Sequence, residues 1–450
     1  MSNQIKIKKG LNINLVGEAE KVLVTAQASD LISIRPSDFI GVTPKLEVKQ
    51  GDEVKAGTVL FHDKDHPEIK FTAPVSGEVV EVERGEKRKL LSIKILADKE
   101  LKYETFKSGN VAEMTREQIV ENLLSSGAWP FIRQRPFNTI ANPSQTPKAI
   151  FISGFDSAPL GPDYDFIVHN HGAEFQTGLD VLKKLTKGKI HLNLNAEAKP
   201  SGVFTNAKGV QINYFSGPHP AGNVGVQIHH IDPLNKGEVV WVCNPQDVLL
   251  IGKLFQTGKF DASRIVAVTG SEAPSKKYFK TIMGSSAKSI IGKEIDTHHT
   301  RIISGNVLTG KTIQNNDAIG FYDTQLTLIP EGHEPEFLGW IAPGFDKFSL
   351  SKTFFSWLTP NKKYNLNTNQ HGEERAFVVS GEYEKVLPMD IYPVYLLKAA
   401  LAQDIEKMES LGIYEVVEED FALCEYVCTS KIAVQDILRS GLDLVKKELS

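Results

Sequence analysis

The sequence predicts a multidomain α/β protein, and three observations support this fold class. Short alternating strands separated by glycine turns occupy the N-terminal part, strands alternate with helices in the middle, and helical periodicity dominates the end. The chain of 450 residues is long enough for about three domains that each bury their own core. We therefore expect several domains that follow one another along the chain.

The composition limits the protein classes to which the chain can belong. It is 41% hydrophobic and 24% charged, as is usual for soluble globular proteins. The formal net charge of -4, with mixed signs, argues against nucleic-acid binding. No apolar run approaches the ~18 residues of a transmembrane helix, and the N-terminus lacks the apolar core of a signal peptide. We expect no membrane span, no signal peptide and a cytoplasmic location.

Residues 1–105 predict a barrel-sandwich module of the biotinyl or lipoyl carrier type. The runs PKLEVKQGDEVKAGTVLF and APVSGEVVEVERG have the strands and glycine turns of such a carrier. The modified lysine should lie roughly eight residues before Pro74, where this chain has His66. Lys64 is close, but Asp63 and Asp65 flank it. We expect a structural module without a carrier lysine, and an intact mass would test modification of Lys64.

Residues 106–147 predict a capped helix followed by a loop rich in proline and aromatic residues. Thr115 and Gln118 fit a capping box, and Gly127 fits the helix end. Four prolines in WPFIRQRPFNTIANPSQTP argue against regular secondary structure, so we expect an ordered loop over a surface. The candidate contact residues of this loop are Trp129, Phe131, Arg133, Arg135 and Phe137.

Residues 148–270 predict a Rossmann-like, doubly wound domain. AIFISG, KIHLNL, VQINYF and EVVWVC are apolar strands separated by helical stretches, and RIVAVTG is expected to close the series. In GPHPAGNVG, Gly217 and Gly222 have Walker-like spacing. However, Asn223 and Val224 stand where lysine and serine or threonine should hold phosphate and magnesium. We therefore expect no nucleotide in this domain.

Histidine clusters are the candidate metal ligands of this chain. His169 and His171 lie two residues apart, as ligands on one strand face would, and two adjacent pairs follow at residues 229–230 and 298–299. No third ligand accompanies any of them at a helical or hairpin spacing. On a strand, adjacent histidines point to opposite faces, so we interpret each pair as one buried and one solvated ring and predict no metal site.

The last third predicts a small mixed-sheet domain at 271–345, a connecting segment at 346–388 and a helical domain at 389–450. In the helical domain, one apolar stripe of a single helix comprises Leu397, Leu401, Ile405 and Met408. Cys424 and Cys428 lie one helical turn apart, and with Cys243 they are too few for a disulfide framework or a four-thiolate cluster. We expect the first two to be packing residues.

Several long and unusual blocks resemble the alpha-chain family of the bacterial sodium-translocating NADH:quinone reductase. They are RPFN with TPKAIFISGFDSAPLGPD, GPHPAGNVGVQIHHIDP, RIVAVTGSEA, GWIAPGFDKFS, EYEKVLPMDIYPVYLL and LGIYEVVEEDFALCEYVCTSKIAVQDILR. One departure is Thr429, where the family pattern is expected to have proline. The resemblance covers nearly the whole chain and implies that residues 271–345 form a β-grasp-like (SLBB) domain.

The resemblance implies a complex that transfers electrons from NADH to quinone and exports Na⁺, with flavins and an iron–sulfur centre on other subunits. This chain would bind no cofactor or metal, contain no catalytic residues of its own, and lie peripherally on the cytoplasmic side of the inner membrane. Its partners would be the membrane and peripheral subunits. The aromatic and arginine loop would contact either quinone or a partner subunit, and we favour the partner.

A stand-alone flavin- or nicotinamide-dependent oxidoreductase is the alternative function. It uses the same doubly wound sheet but requires the isolated chain to hold its own redox group. The visible absorption spectrum of the purified chain distinguishes the two functions, because a stoichiometric flavin band would favour the alternative.

Overall fold

The computed structural model describes residues 3–332, 336–339 and 341–449. In this part of the chain four β-sheets, of seven, six, four and three strands, share the core with helices. Every helix that the structure describes is too short or too polar to cross a bilayer.

Nine strands precede residue 100. They are β1 (Asn3–Lys6), β2 (Glu20–Thr25), β3 (Leu31–Ile34), β4 (Pro44–Leu46), β5 (Glu53–Val54), β6 (Val59–Asp63), β7 (Lys70–Thr72), β8 (Gly77–Arg84) and β9 (Leu90–Ala97).

Two of the four sheets form the N-terminal module. One has the order β3-β9-β8-β5 and the other β4-β6-β7. Phe61 and Phe71 stack in their shared core, with ring centroids 4.4 Å apart. Lys64 is exposed in the turn after β6. The two first strands lie outside this module, because β1 pairs with a strand at Gln211–Ser216 and β2 with a strand at Lys277–Ile282.

The expected capped helix is confirmed as α1 (Arg116–Ser126). Thr115 and Gln118 form the capping box, and Gly127 ends the helix in the left-handed conformation. The expected surface loop after it is wrong. Strands β10 (Arg133–Arg135) and β11 (Thr139–Ile140) follow, because the prolines lie between the short strands and leave their hydrogen bonds intact.

Alternating strands and helices then build most of the seven-stranded sheet. They are β12 (Ala149–Ser153), α2 (Tyr164–Ile167), α3 (Gly172–Leu185), β13 (Lys189–Asn195), α4 (Gly202–Thr205), β14 (Gln211–Ser216), α5 (Val224–Ile231), β15 (Val240–Val242) and α6 (Pro245–Thr257).

This sheet has the order β1-β14-β13-β12-β15-β10-β11. Neighbours are parallel from β1 to β15, whereas β10 and β11 add antiparallel to the edge. Ile150 and Ile152 share a core with α3 and α6, and Phe151 between them shares a separate core with Val224 and Ile228 of α5. Helices therefore cover both faces of the parallel part.

Five further strands and one helix follow. They are β16 (Ser263–Thr269), β17 (Lys277–Ile282), α7 (Ala287–Ile291), β18 (Thr300–Ser304), β19 (Lys311–Ile313) and β20 (Gln325–Pro330). Their sheet has the order β19-β18-β20-β16-β17-β2. The expectation that RIVAVTG closes the doubly wound series is therefore wrong. The apolar run of β16 shows that the strand is buried, but its pairing with β17 and β20 assigns it to this second sheet.

The C-terminal part contains five helices, α8 (Tyr383–Val386), α9 (Pro393–Leu401), α10 (Ile405–Ser410), α11 (Ala422–Val427) and α12 (Val434–Leu449). The predicted single stripe through Leu401 is wrong. The helix ends there with Leu401 56% exposed, and the Asp404 side chain caps a new helix by accepting a hydrogen bond from Lys407 N. Cys424 and Cys428 are buried, as expected of packing residues.

Seven 3-10 turns complete the secondary structure of the described part. They span Pro36–Asp38, Glu86–Arg88, Val111–Glu113, Trp129–Phe131, Phe355–Leu358, Ile413–Glu415 and Glu418–Phe421.

Helices α3 and α6 pack with their backbones in close approach at two glycines. A Cβ atom added to Gly252 would lie 1.8 Å from the Glu174 carbonyl oxygen, and one added to Gly178 would lie 2.1 Å from the Val248 carbonyl oxygen. No side chain fits at either position, so this contact depends on glycine.

We expect Gly252→Ala to separate α3 from α6 and to lower the free energy of unfolding by about 1–3 kcal/mol, the usual cost of overpacking. Urea denaturation followed by the fluorescence of Trp129 and Trp241 measures the change. Gly202→Ala is the matched control, because its Cβ would meet only Asn206 Nδ2 at 3.5 Å. Equal stability of the two variants would contradict the packing explanation.

Candidate functional site

A cavity of about 130 Å³ lies where β12 and β15 end. These two strands are neighbours, but the chain continues from β12 to β13 on one side and returns through β15 on the other. Such a reversal of strand order opens a crevice at the carboxyl edge of the sheet, which is where open α/β sheets usually bind ligands. We therefore treat this cavity as the candidate site.

The walls of the cavity come from three parts of the chain. The α/β part contributes the segments after β12, β14 and β15, the second sheet contributes the turn after β18, and the C-terminal part contributes one acidic side chain. The polar lining residues are Arg133, Ser153, Asp156, Tyr164, His219, Asn223, Asn244, Asn306, Thr309 and Glu419.

Arg133 lines this cavity and a second, smaller one of about 40 Å³. It lies on β10 between Val242 of β15 and Ile140 of β11, and so faces both. Its guanidinium lies 5.0 Å from the centre of the Tyr322 ring, and its Nη1 donates to Asn138 Oδ1 at 3.3 Å. Of the five contact residues predicted from the sequence, Arg133 is the one placed at the cavities.

The aromatic members of the predicted set are buried, so they do not offer the flat exposed surfaces that we expected. Trp129 is fully buried and donates from Nε1 to the Ala141 carbonyl at 2.7 Å. Phe131 stacks on Phe321 with ring centroids 5.5 Å apart. Phe137 packs edge-on against Tyr414 of the C-terminal part. Burial follows from the pairing of β10 with the sheet, which carries these rings into the core.

Arg135 holds one wall of the cavity in place. Its side chain is 3% exposed, and its Nη2 donates to Glu419 Oε1 at 2.5 Å. A second nitrogen, Nη1, lies 3.5 Å from Asp420 Oδ2. Asn223 Nδ2 donates to the Glu419 carbonyl at 3.0 Å. The Glu419 carboxylate is thereby fixed beside the cavity by two contacts from the α/β part.

Two titratable groups that line the cavity have opposite shifts with the same cause. Burial raises the pKa of Asp156 to about 6, although its Oδ1 accepts a hydrogen bond from Ala158 N. Burial lowers the pKa of His219 to about 4. The imidazole Nδ1 lies 3.0 Å from Ser157 Oγ, which in turn accepts from Gly222 N at 2.8 Å. The site therefore offers a neutral imidazole and a carboxyl group that can exchange a proton near neutral pH.

Three lining residues, Asp156, His219 and Glu419, were not among those predicted from the sequence. The signal for Asp156 was its place directly after a buried strand. His219 lies in GPHPAGNVG, the block with Walker-like glycine spacing. There Asn223, which replaces the phosphate-binding lysine, contacts the Glu419 carbonyl. Glu419 is almost 200 residues further along the chain, so local spacing could not connect it with the cavity.

The two adjacent histidine pairs are not on strands, so that interpretation is wrong. His229 and His230 lie in the last turn of α5, and residues 298–299 form a turn before β18. His229 Nδ1 lies 2.7 Å from Glu415 Oε2, and its Nε2 accepts a hydrogen bond from Asp390 N at 3.0 Å. This imidazole joins α5 to the C-terminal part.

We expect Asp156→Asn and His219→Asn to change the pH dependence of stability in opposite directions. Asp156 binds its proton more tightly in the folded state than at its ordinary pKa of 3.8, so its contribution to stability falls as the pH rises from about 4 to about 6. His219 binds its proton less tightly than at its ordinary pKa of 6.5, so its contribution grows between about pH 4 and 6.5.

Relative to the unsubstituted protein, the Asp156→Asn variant should therefore gain stability as the pH rises through this window, and the His219→Asn variant should lose it. Urea midpoints measured from pH 4 to 7.5 give both profiles. Parallel profiles for all three proteins would show that neither group is buried in this way.

Comparison with protein-family models assigns most of the chain. The model described as the NqrA N-terminal barrel-sandwich hybrid domain matches residues 5–98. The NqrA second alpha/beta domain model matches residues 114–260, and the NQRA C-terminal domain model, of SLBB type, matches residues 265–315. The predicted barrel-sandwich, α/β and SLBB parts are thus confirmed.

Curated relatives match along their full length, and each is described as the alpha (NqrA) component of a Na(+)-translocating NADH-quinone reductase. The relative from Pasteurella multocida (strain Pm70) is 40% identical over 448 residues, which cover 99% of this chain and 100% of the relative. A relative from Neisseria meningitidis serogroup C is 38% identical with the same coverage. This chain belongs to the NqrA family of Na(+)-translocating NADH-quinone reductase subunits.

Proposed function

We propose that this chain is a peripheral subunit on the cytoplasmic side of a membrane complex that oxidises NADH, reduces quinone and exports Na⁺. The observation that carries the proposal is the 40% identity over 448 residues to a relative described as the NqrA component of such a reductase. In this proposal the flavins and the iron–sulfur centre belong to other subunits, and the partners of the chain are the membrane and peripheral subunits of the same complex.

The proposed role of the chain within the complex is that of a scaffold. Buried polar contacts join its parts, which is what a scaffold needs to transmit a fixed geometry between partners. Arg264 of β16 donates to Asp247 of α6 at 2.5 Å, and Gln435 of α12 donates to the Leu308 carbonyl at 3.1 Å. The Rossmann-like region and the C-terminal helices would serve this structural role.

We propose that Arg133 is where the chain contributes to the quinone-reduction step. A quinone carbonyl is a hydrogen-bond acceptor, and the partly exposed guanidinium is a donor at the border of two cavities. The Tyr322 ring beneath it offers an apolar face for the quinone ring. The buried Trp129 and Phe131 would support this contact from behind, while Arg135 is engaged by Glu419.

We expect the chain to restore Na⁺-stimulated NADH:quinone reductase activity to membranes of a bacterium whose own gene for this component is deleted. Oxygen-independent quinone reduction and Na⁺ uptake by inverted vesicles measure the effect. An empty vector is the control. Normal accumulation of the chain in the membrane fraction without any Na⁺-stimulated activity would contradict the proposal.

We expect Arg133→Gln in the assembled complex to raise the KM for quinone roughly tenfold, since a hydrogen bond from a charged donor is worth about 1.5–3 kcal/mol. The KM for NADH should not change. Arg84→Gln is the matched control, because Arg84 lies at the exposed end of β8. An unchanged KM for quinone would leave only the scaffold role.

A further inference from the structure

Residues 337–358, here called the aromatic segment, expose an unusual number of large apolar side chains. Phe337 is 91% exposed, Ile341 60% and Trp357 51%. The remaining exposed members are Leu338, Phe345, Phe355 and Leu358. Such a concentration of aromatic residues on a surface is typical of an interaction site.

The aromatic segment is folded and has two different faces. Phe355 N donates to the Pro343 carbonyl at 2.8 Å, and the rings of Phe345 and Phe355 lie 5.9 Å apart. On the inner face, Phe348 packs against Tyr364 and Tyr426, with ring centroids 5.4 and 6.4 Å away. The exposed aromatic rings therefore belong to an outer face that the fold itself holds in place.

Charges around the outer face are largely neutralised. Three of the four lysines between residues 336 and 363 form ion pairs: Lys347 with Glu336, Lys362 with Asp346, and Lys363 with Glu18. Attraction to anionic lipid requires a cluster of uncompensated basic residues next to the apolar surface. The outer face thus has little electrostatic attraction for a lipid headgroup layer and suits an uncharged surface.

The backbone of the aromatic segment also argues against insertion into lipid. Within its described residues, the 3-10 turn Phe355–Leu358 is the one regular element. Irregular backbone leaves N–H and C=O groups that hydrocarbon cannot satisfy, whereas a protein surface can supply hydrogen-bond partners. Both the charge and the backbone favour protein over membrane as the occupant.

We propose that the aromatic segment docks this chain on another subunit of the same complex, through an uncharged apolar protein face that also carries hydrogen-bonding groups. This inference rests on the proposed function, because it names the surface by which the proposed scaffold is attached. Phe345, Phe355 and Trp357 lie at its centre, and aromatic residues of this kind carry most of the energy of such contacts.

The test is photocrosslinking in the whole complex. Phe345 and Trp357 are each replaced by p-benzoylphenylalanine, the purified complex is irradiated, and the adducts are identified by mass spectrometry. Leu96, 47% exposed on the N-terminal module, is the matched control position. We expect adducts with a different subunit from both positions in the aromatic segment and not from the control.

Three other outcomes would overturn the inference while the complex itself remains intact: adducts with lipid alone, adducts with a second copy of this chain alone, or none. Purification of the unsubstituted chain without any other subunit would instead overturn the proposed function, and the docking with it.

Substitution provides a second measurement. The double variant Phe345→Ser, Trp357→Ser should reduce recovery of the other subunits with this chain at least tenfold, since truncation of central interface aromatics commonly weakens binding that much. Leu96→Ser should leave recovery unchanged. An unfolded variant is recognised by loss of the urea transition of the isolated chain. Full recovery of the complex by a folded double variant would refute the docking role.

Discussion

The arrangement of the C-terminal part on the α/β sheet depends on the buried guanidinium of Arg135. A charge that is 3% exposed is tolerable only when carboxylates compensate for the water it has lost. Glu419 and Asp420 supply that compensation, and Gly225 leaves the space that the Asp420 carboxylate occupies. Burial raises the pKa of Asp420 to about 7, and Arg135 opposes this shift. The acidic turn is thus drawn to the edge of the sheet.

This attachment has a consequence for the cavity at the carboxyl edge. Without Glu419, the crevice between β12 and β15 would be bordered by the two sheets alone. With it, three parts of the chain meet around one small volume, so any molecule bound there contacts all of them. Arg439 strengthens the same junction, because it donates both to Glu418 and to the carbonyl of Phe137. The cavity and the junction are therefore one structural unit.

The chain retains folds that other proteins use for prosthetic groups, but fills the corresponding positions with structural contacts. The carrier-like module has Lys64 between two aspartates rather than at the expected carrier position. In the loop before α5, Asn223 contacts the C-terminal part where a phosphate loop would have its lysine. These replacements join parts of the chain to one another, which agrees with the proposed scaffold role and with an aromatic segment available for a partner.

The sequence by itself determined the elements whose signals are local. The capping box of Thr115 and Gln118, the left-handed stop at Gly127 and the strand–helix alternation after residue 148 all act within a few residues. Only the tertiary structure decided which strands pair. It placed β16 in a second sheet and inserted β10 beside β15, which buried Trp129 and brought Arg135 to Glu419, 284 residues away. Pairing of strands and compensation of buried charge depend on distant partners, and no local pattern of residues encodes them.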